Sequence, residues 1–315
     1  MTTFVFRRLG FMLATLLIIS LLIFVMTEVV PGDFASILLG QRAQDETLLA
    51  AWRSRLDLDQ PPDQRYLSWL AGLFQGDWGT SWFYQTPVLP LVLQRLVNSA
   101  VLLVLALLVG VPLGILLGMI AGVYRSRWPD TLMTIGMLLV ASLPEFVLGT
   151  FLIIIFASWL SWLPATSLMA ADTDLREAWS LLVLPILTLV LITLPYIART
   201  TRSSMIDVME QDYIQAVVLR GIPFPLVVLR HALPNALLPT ISVIALSIGW
   251  ILGGAVVVEH VFAFPGLGSL LLSAVSNQDI PLLQATVLLI AMIYALSNLV
   301  ADLLSHLLDP RVSAT

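Results

Sequence analysis

The chain has 315 residues, 59% of them hydrophobic and only 11% charged, and its mean hydropathy of +0.96 excludes a soluble globule in favour of a polytopic membrane protein. It has no cysteine and no lysine, all 15 basic residues being arginine, which excludes disulfide frameworks, thiolate metal sites, a P-loop lysine and Schiff-base chemistry. Any ATP used is therefore hydrolysed elsewhere, and the net charge of −5 hides an asymmetry along the chain in which nothing points to nucleic acid.

Arg7 and Arg8 precede an uncharged run from Leu9 to Thr27, long enough to span a bilayer and too long for the apolar core of a secretory signal. Residues 1–30 are thus expected to hold the first span. Pro31-Gly32-Asp33 opens a polar section, 31–97, with Trp69, Trp78, Trp82 and the turn-like Gly76-Asp-Trp-Gly79. It reads as a small folded extension outside the bilayer, being too apolar in places for a disordered tail. Residues 98–310 are expected to form a core of five further spans, with a large loop at about 199–236, and 311–315 a tail.

The second span is expected from Asn98 to Tyr124, where Gly110, Gly114, Gly118 and Gly122 share one helix face and invite close approach of another helix, of a partner subunit or, as preferred, of the same chain. Arg125, Arg127 and Pro129-Asp130 turn into a third segment, Thr131 to Leu163, interrupted by Pro144-Glu145. It is either one tilted, kinked helix or two pieces around a break; one helix is preferred, because two spans would invert the orientation argued below. Glu145 then lies within the bilayer, lining a pathway or else lying near the interface or paired inside the bundle. A polar connection at 164–177 leads to a fourth span from Ala178 to Ala198, with Pro185 and Pro195 as kinks. The fifth span runs from Leu237 to Val258. Phe264-Pro-Gly-Leu-Gly268 follows as a tight turn, an external gate being the alternative, and the sixth span runs from Pro281 to Ala301.

Between the fourth and fifth spans lies Asp212-Tyr-Ile-Gln-Ala-Val-Val-Leu-Arg-Gly221. Asp212 suits a helix N-cap and Gln215 the reciprocal position of a capping box, while Gly221, Ile222 and Pro223 read as a C-terminal stop. A helix of about two turns is marginal alone. Its Ile214, Val217 and Val218 make an apolar stripe that needs covering, by a partner's socket or by the chain itself. The short loops place Arg125, Arg127, Arg199, Arg202, Arg220 and Arg230 on one side, against Arg176 on the other, so both termini and the short helix are expected to be cytoplasmic. A cytoplasmic knob on a bundle that cannot hydrolyse ATP suggests a docking point for a soluble motor subunit.

The same residues carry a resemblance. Gln215-Ala216-Val217, Gly221 and Leu233-Pro234 are similar to the "EAA" loop of bacterial ABC import permeases; Ala216, Gly221, Leu233 and Pro234 match in register, while Gln215, Val217 and His231 depart, and no salt bridge is carried over to Gln215. Arg7-Arg8-Leu9, Pro31-Gly32-Asp33, Gly76-Asp-Trp-Gly-Thr-Ser81, Ser142-Leu-Pro-Glu-Phe146, Val258-Glu-His-Val-Phe262, Asp279-Ile-Pro281 and Asp309-Pro-Arg311 extend it over nearly the whole chain and resemble the dipeptide, oligopeptide and nickel permease branch. The resemblance implies an all-α, type I-like fold of six transmembrane helices in the bacterial inner membrane. It also implies a second homologous permease, two cytoplasmic ATPases that hold ATP and Mg, an extracytoplasmic substrate-binding protein, and no cofactor on this chain. Asp212, Tyr213, Ile214, Gln215, Ala216, Val217, Val218, Arg220, Gly221 and Ile222 would be the coupling helix, the path would lie between the permeases with Glu145 a possible lining residue, and the cargo would be a peptide or else nickel or a metal chelate. An ion-coupled secondary carrier is the alternative of a different class, but no inverted repeat is visible to support it.

Overall fold

The computed structural model describes residues 2–29, 44–55, 60–168 and 179–308, and these are helices joined by turns. Pro31-Gly32-Asp33, Arg42, Arg176, most of the 164–177 connection and the 311–315 tail lie outside the described residues. In chain order the helices are α1 (Thr2–Val29), α2 (Glu46–Arg55), α3 (Pro62–Gln75), α4 (Val88–Val123), α5 (Trp128–Ala141) and α6 (Glu145–Leu152), whose end continues as a π-helical stretch, Ile153–Trp159. Then come α7 (Trp179–Met209), α8 (Asp212–Leu219), a π-helical stretch Val227–Ala232 that runs into α9 (Leu233–Val261), α10 (Leu267–Ser276) and α11 (Ile280–Leu308).

Local chemistry sets several of these bounds. Pro62 starts α3 where no N–H is lost, Asp63 favours the positive end of the helix dipole, and Gly76 at φ +84° closes it. Helix α4 begins at Val88 and not at Asn98: its 36 residues span about 54 Å against a hydrocarbon core of about 30 Å, so Gln94 and Arg95 ride on a turn that projects beyond the apolar layer.

The third segment is not one helix. Helices α5 and α6 meet at 106° across Ser142-Leu143-Pro144, because proline lacks the N–H that would continue α5 and its ring disfavours a helical residue before it. The pair nevertheless crosses once. Helices α4 and α7 run parallel, with Gly110 against Val190 and Thr193, Gly114 against Ile197, and Gly122 against Arg202 and Met205. Two consecutive parallel spans require one return crossing between them, and its ends are fixed: Arg202 of α7 grips Asp130 at the start of α5, while Ser167 beyond α6 donates from N to Phe262 O at 2.7 Å and from Oγ to Leu181 O at 2.5 Å.

Helix α9 runs back against α7, the hydroxyls of Thr201 and Thr240 lying 3.2 Å apart. Helix α11 runs against α1, with Arg8 paired to Asp302 at 2.9 Å and Gln284 Nε2 donating to Thr27 Oγ1 at 2.9 Å. The start of α1, the end of α11, the α4–α5 turn and α8 therefore lie at one end of the bundle. Helix α3 and the 79–87 turn lie at the other, where Tyr66 and Ser20 share a hydrogen bond of 2.9 Å and Arg65 pairs with Glu28. The glycine stripe of α4 packs inside the chain: a Cβ on Gly114 would stand 2.8 Å from Ile197 Cγ2, and one on Gly122 2.6 Å from Met205 Cβ.

Candidate functional site

The short helix α8 is built from Asp212–Leu219 and stopped by Gly221 at φ +76°, a left-handed turn that side chains other than glycine rarely adopt. Its start differs from the expected capping box. Gln211 is the cap residue, Asp212 is already helical, and no side chain closes the end; Asp212 acts on the helix dipole instead, and Gln215 points to solvent.

Two of the three residues of the apolar stripe, Ile214 and Val217, turn inward, while Val218 stays exposed. Ile214 is only 1% exposed and, with partly buried Val217 and Ile222, packs into a cluster of Met205, Val227, Val228, Ala232 and Ala236. Tyr213 accepts a hydrogen bond on its hydroxyl from Asn235 Nδ2 at 2.8 Å. The surface that needs covering is the opposite one: Val218, Leu219 at 87% exposure, Arg220 and, past the stop, Phe224, Leu226 and Leu229. The sequence does not mark Leu219, because spacing alone identifies an apolar face without saying whether its own chain covers it.

This inward packing makes α8 a rigid projection of two spans at once. Ile214 contacts the end of α7 and the lead into α9 through one buried cluster, so displacement of α8 moves both long helices. Neighbouring ion pairs brace the same end. Arg202 donates to Asp130 from Nε at 2.5 Å and from Nη2 at 2.9 Å, a bidentate pair supplemented by Ser126 N and Thr134 Oγ1. Arg125 pairs with Glu210, tying the α4–α5 turn to the end of α7. In the sequence Asp130 reads only as a turn residue, because its partner lies in another span.

Glu145, the other candidate, stands apart from this end. It opens α6 at the break, half-buried against Gly254 of α9, in a cavity of about 320 Å³ shared with Val140, Pro144, Ile192, Tyr196 and Val257.

At the far end, the Val258-Glu-His-Val-Phe262 motif contains a latch. Glu259, 1% exposed, accepts from Gly268 N at 2.7 Å, Ser269 N at 3.1 Å and Ser99 Oγ at 2.5 Å, and Ser99 Oγ in turn accepts from Leu267 N. The Phe-Pro-Gly-Leu-Gly turn is thus held by a carboxylate that caps α10. Asp279 does the same for α11, accepting from Leu282 N while Ser81 Oγ and Phe83 N bind its other oxygen.

Residues 114–314 match the family described as binding-protein-dependent transport system inner membrane component, and residues 1–87 match its N-terminal companion. The chain is 37% identical over 315 residues to the glutathione transport system permease protein GsiC of Salmonella paratyphi A, covering 99% of both chains. It is 36% identical over 313 residues to the proteins of that name from Shigella flexneri serotype 5b and Escherichia coli strain K12, again covering 99% of each.

Proposed function

Because the chain belongs to the family of binding-protein-dependent transport inner-membrane components and is a multi-pass inner-membrane permease subunit of an ATP-driven importer of the peptide and nickel class, we propose that α8 is its coupling helix and that its cargo is a peptide. An importer permease of this kind works with ATPase and substrate-binding partners. Our reading is that one ATPase receives the outward face of α8, with Leu219, Val218 and Arg220 at its centre and Asp212, Tyr213, Gln215 and Ala216 along its flank. Ile214, Val217 and Ile222 act from beneath, passing the motion to α7 and α9, and Gly221 fixes the end of the helix. ATP and Mg belong to that partner. A second, homologous permease would form the other half of the path, with a second ATPase beneath it.

The arginine distribution supports a cytoplasmic position for the α8 end, and with it for the start of α1 and the end of α11. The section before α4 would then face outward and receive the binding protein. The relatives named for glutathione, a tripeptide, support peptides over nickel.

The observation that carries this reading is an exposed apolar surface centred on Leu219, mounted on a helix that is itself locked into two spans. Leu219→Asp is expected to abolish ATP-driven peptide uptake and to weaken retention of the ATPase on the purified permease by tenfold or more, with insertion into the membrane unchanged. Wild-type uptake in that variant removes the coupling role.

A further inference from the structure

The break between α5 and α6 exposes chemistry that a mechanical link to the ATPase does not use. Glu145 lies in the apolar layer, midway along the crossing that runs from Asp130 to Ser167, and its carboxylate has no hydrogen-bond or ion-pair partner among the described residues. Gly254 of α9 leaves it room, since a Cβ there would stand 3.1 Å from Oε1. Trp250, Gly254 and Val257 fall at i, i+4 and i+7 and so share one face of α9. Tyr196 of α7 reaches the same opening, and its ring meets Trp250 edge-on with centroids 5.1 Å apart. Both rings are partly exposed.

An ionised carboxylate facing hydrocarbon is costly, and one retained there normally faces a partner or a water-filled path. Lipid alone therefore does not explain this opening, and no described residue of the chain supplies a counter-charge. We propose that Glu145, Tyr196 and Trp250 form a subsite for a primary ammonium group of the transported peptide. The carboxylate accepts its hydrogen bonds and balances its charge, while the aromatic faces favour a cation that has shed part of its water. A cavity of about 320 Å³ is at the small end of ligand pockets, suited to one terminus and not to a whole peptide. A metal cation fits less well, because no group of three or more His, Cys, Asp or Glu residues able to hold one occurs among the described residues. The subsite rests on the reading of the chain as a peptide permease and adds to it which end of the cargo is recognised.

The test uses the whole importer, reconstituted with its ATPases and binding protein, and two peptides matched for affinity to that binding protein, one with a free amino terminus and one N-acetylated. Wild type is expected to favour the free amine, and Glu145→Gln to lower its initial uptake tenfold or more while changing uptake of the acetylated peptide by less than twofold. Glu145→Asp should restore the preference, and resting ATP hydrolysis should be the same in all three. Equal losses for both peptides in Glu145→Gln overturn the subsite and assign a structural role. Loss of assembly or of resting hydrolysis overturns it in favour of an ion pair with the second permease, and unchanged uptake overturns it outright. Failure of the peptide-permease reading is separate: wild type would then show no ATP-dependent uptake of either peptide.

Discussion

At the scale of single residues, the two carboxylates Glu145 and Glu259 divide according to what surrounds them. Glu259, two residues from the end of its helix, is saturated by two N–H groups and a hydroxyl, while Glu145, midway along the bent crossing, has none of these among the described residues. Glu259→Ala leaves the N–H groups of Gly268 and Ser269 unsatisfied, a loss of about 2–6 kcal/mol at about 1–3 kcal/mol per group. Glu259→Gln keeps an acceptor oxygen and should lose less, an order checked by thermal unfolding in detergent; equal midpoints for the two variants would falsify the capping role. Gly221 presents a different constraint. A β-branched side chain at φ +76° costs about 1–2 kcal/mol, so Gly221→Val should loosen the end of α8 and lower the number of peptides moved per ATP hydrolysed, with membrane insertion intact. The left-handed glycine was legible in the sequence because helix stops follow local rules. The inward turn of Ile214 was not, since a stripe of three apolar residues looks the same whichever side is covered.

At the scale of elements, α5 depends on its grip on α7. Asp130 is almost fully buried and Arg202 about one-third open, so Arg202→Ala strands a mostly buried charge. Solvent access at the guanidinium reduces the loss from the 3–5 kcal/mol of a fully buried pair to about 1–3 kcal/mol. A double-mutant cycle with Asp130→Asn, read by thermal unfolding, should give a coupling above 1 kcal/mol; additive effects would show that the bidentate contact contributes nothing. The break after α5 was foreseeable from Pro144, but its size was not. Proline ends a helix by a local clash, whereas the 106° between α5 and α6 is set by where Leu148, Gly149 and Leu152 find cover against other spans.

At the scale of the whole molecule, the parallel run of α4 and α7 settles the parity of crossings. It requires an odd number of crossings in between, and the bent pair supplies one, so α8 and α3 lie at opposite ends. The absence of cysteine makes this testable against no background. Arg127→Cys, in the α4–α5 turn, should resist a membrane-impermeant maleimide added outside intact cells, and Gln75→Cys, at the end of α3, should react. The reverse pattern would invert the orientation and place α8 outside, beyond reach of any cytoplasmic ATPase.

Composition and local pattern were enough to establish a membrane bundle, its approximate spans and the short helix with its glycine stop, because hydropathy and helix ends depend on neighbours in the chain, and the resemblance of its motifs pointed to the family. Only the tertiary structure decided which face of α8 is free, that Asp130 and Arg202 form a clamp, that among the described residues Glu259 is satisfied while Glu145 is not, and that a segment broken at Pro144 still crosses once. Each of these depends on contacts between residues far apart in sequence, and helical periodicity carries no record of what lies opposite.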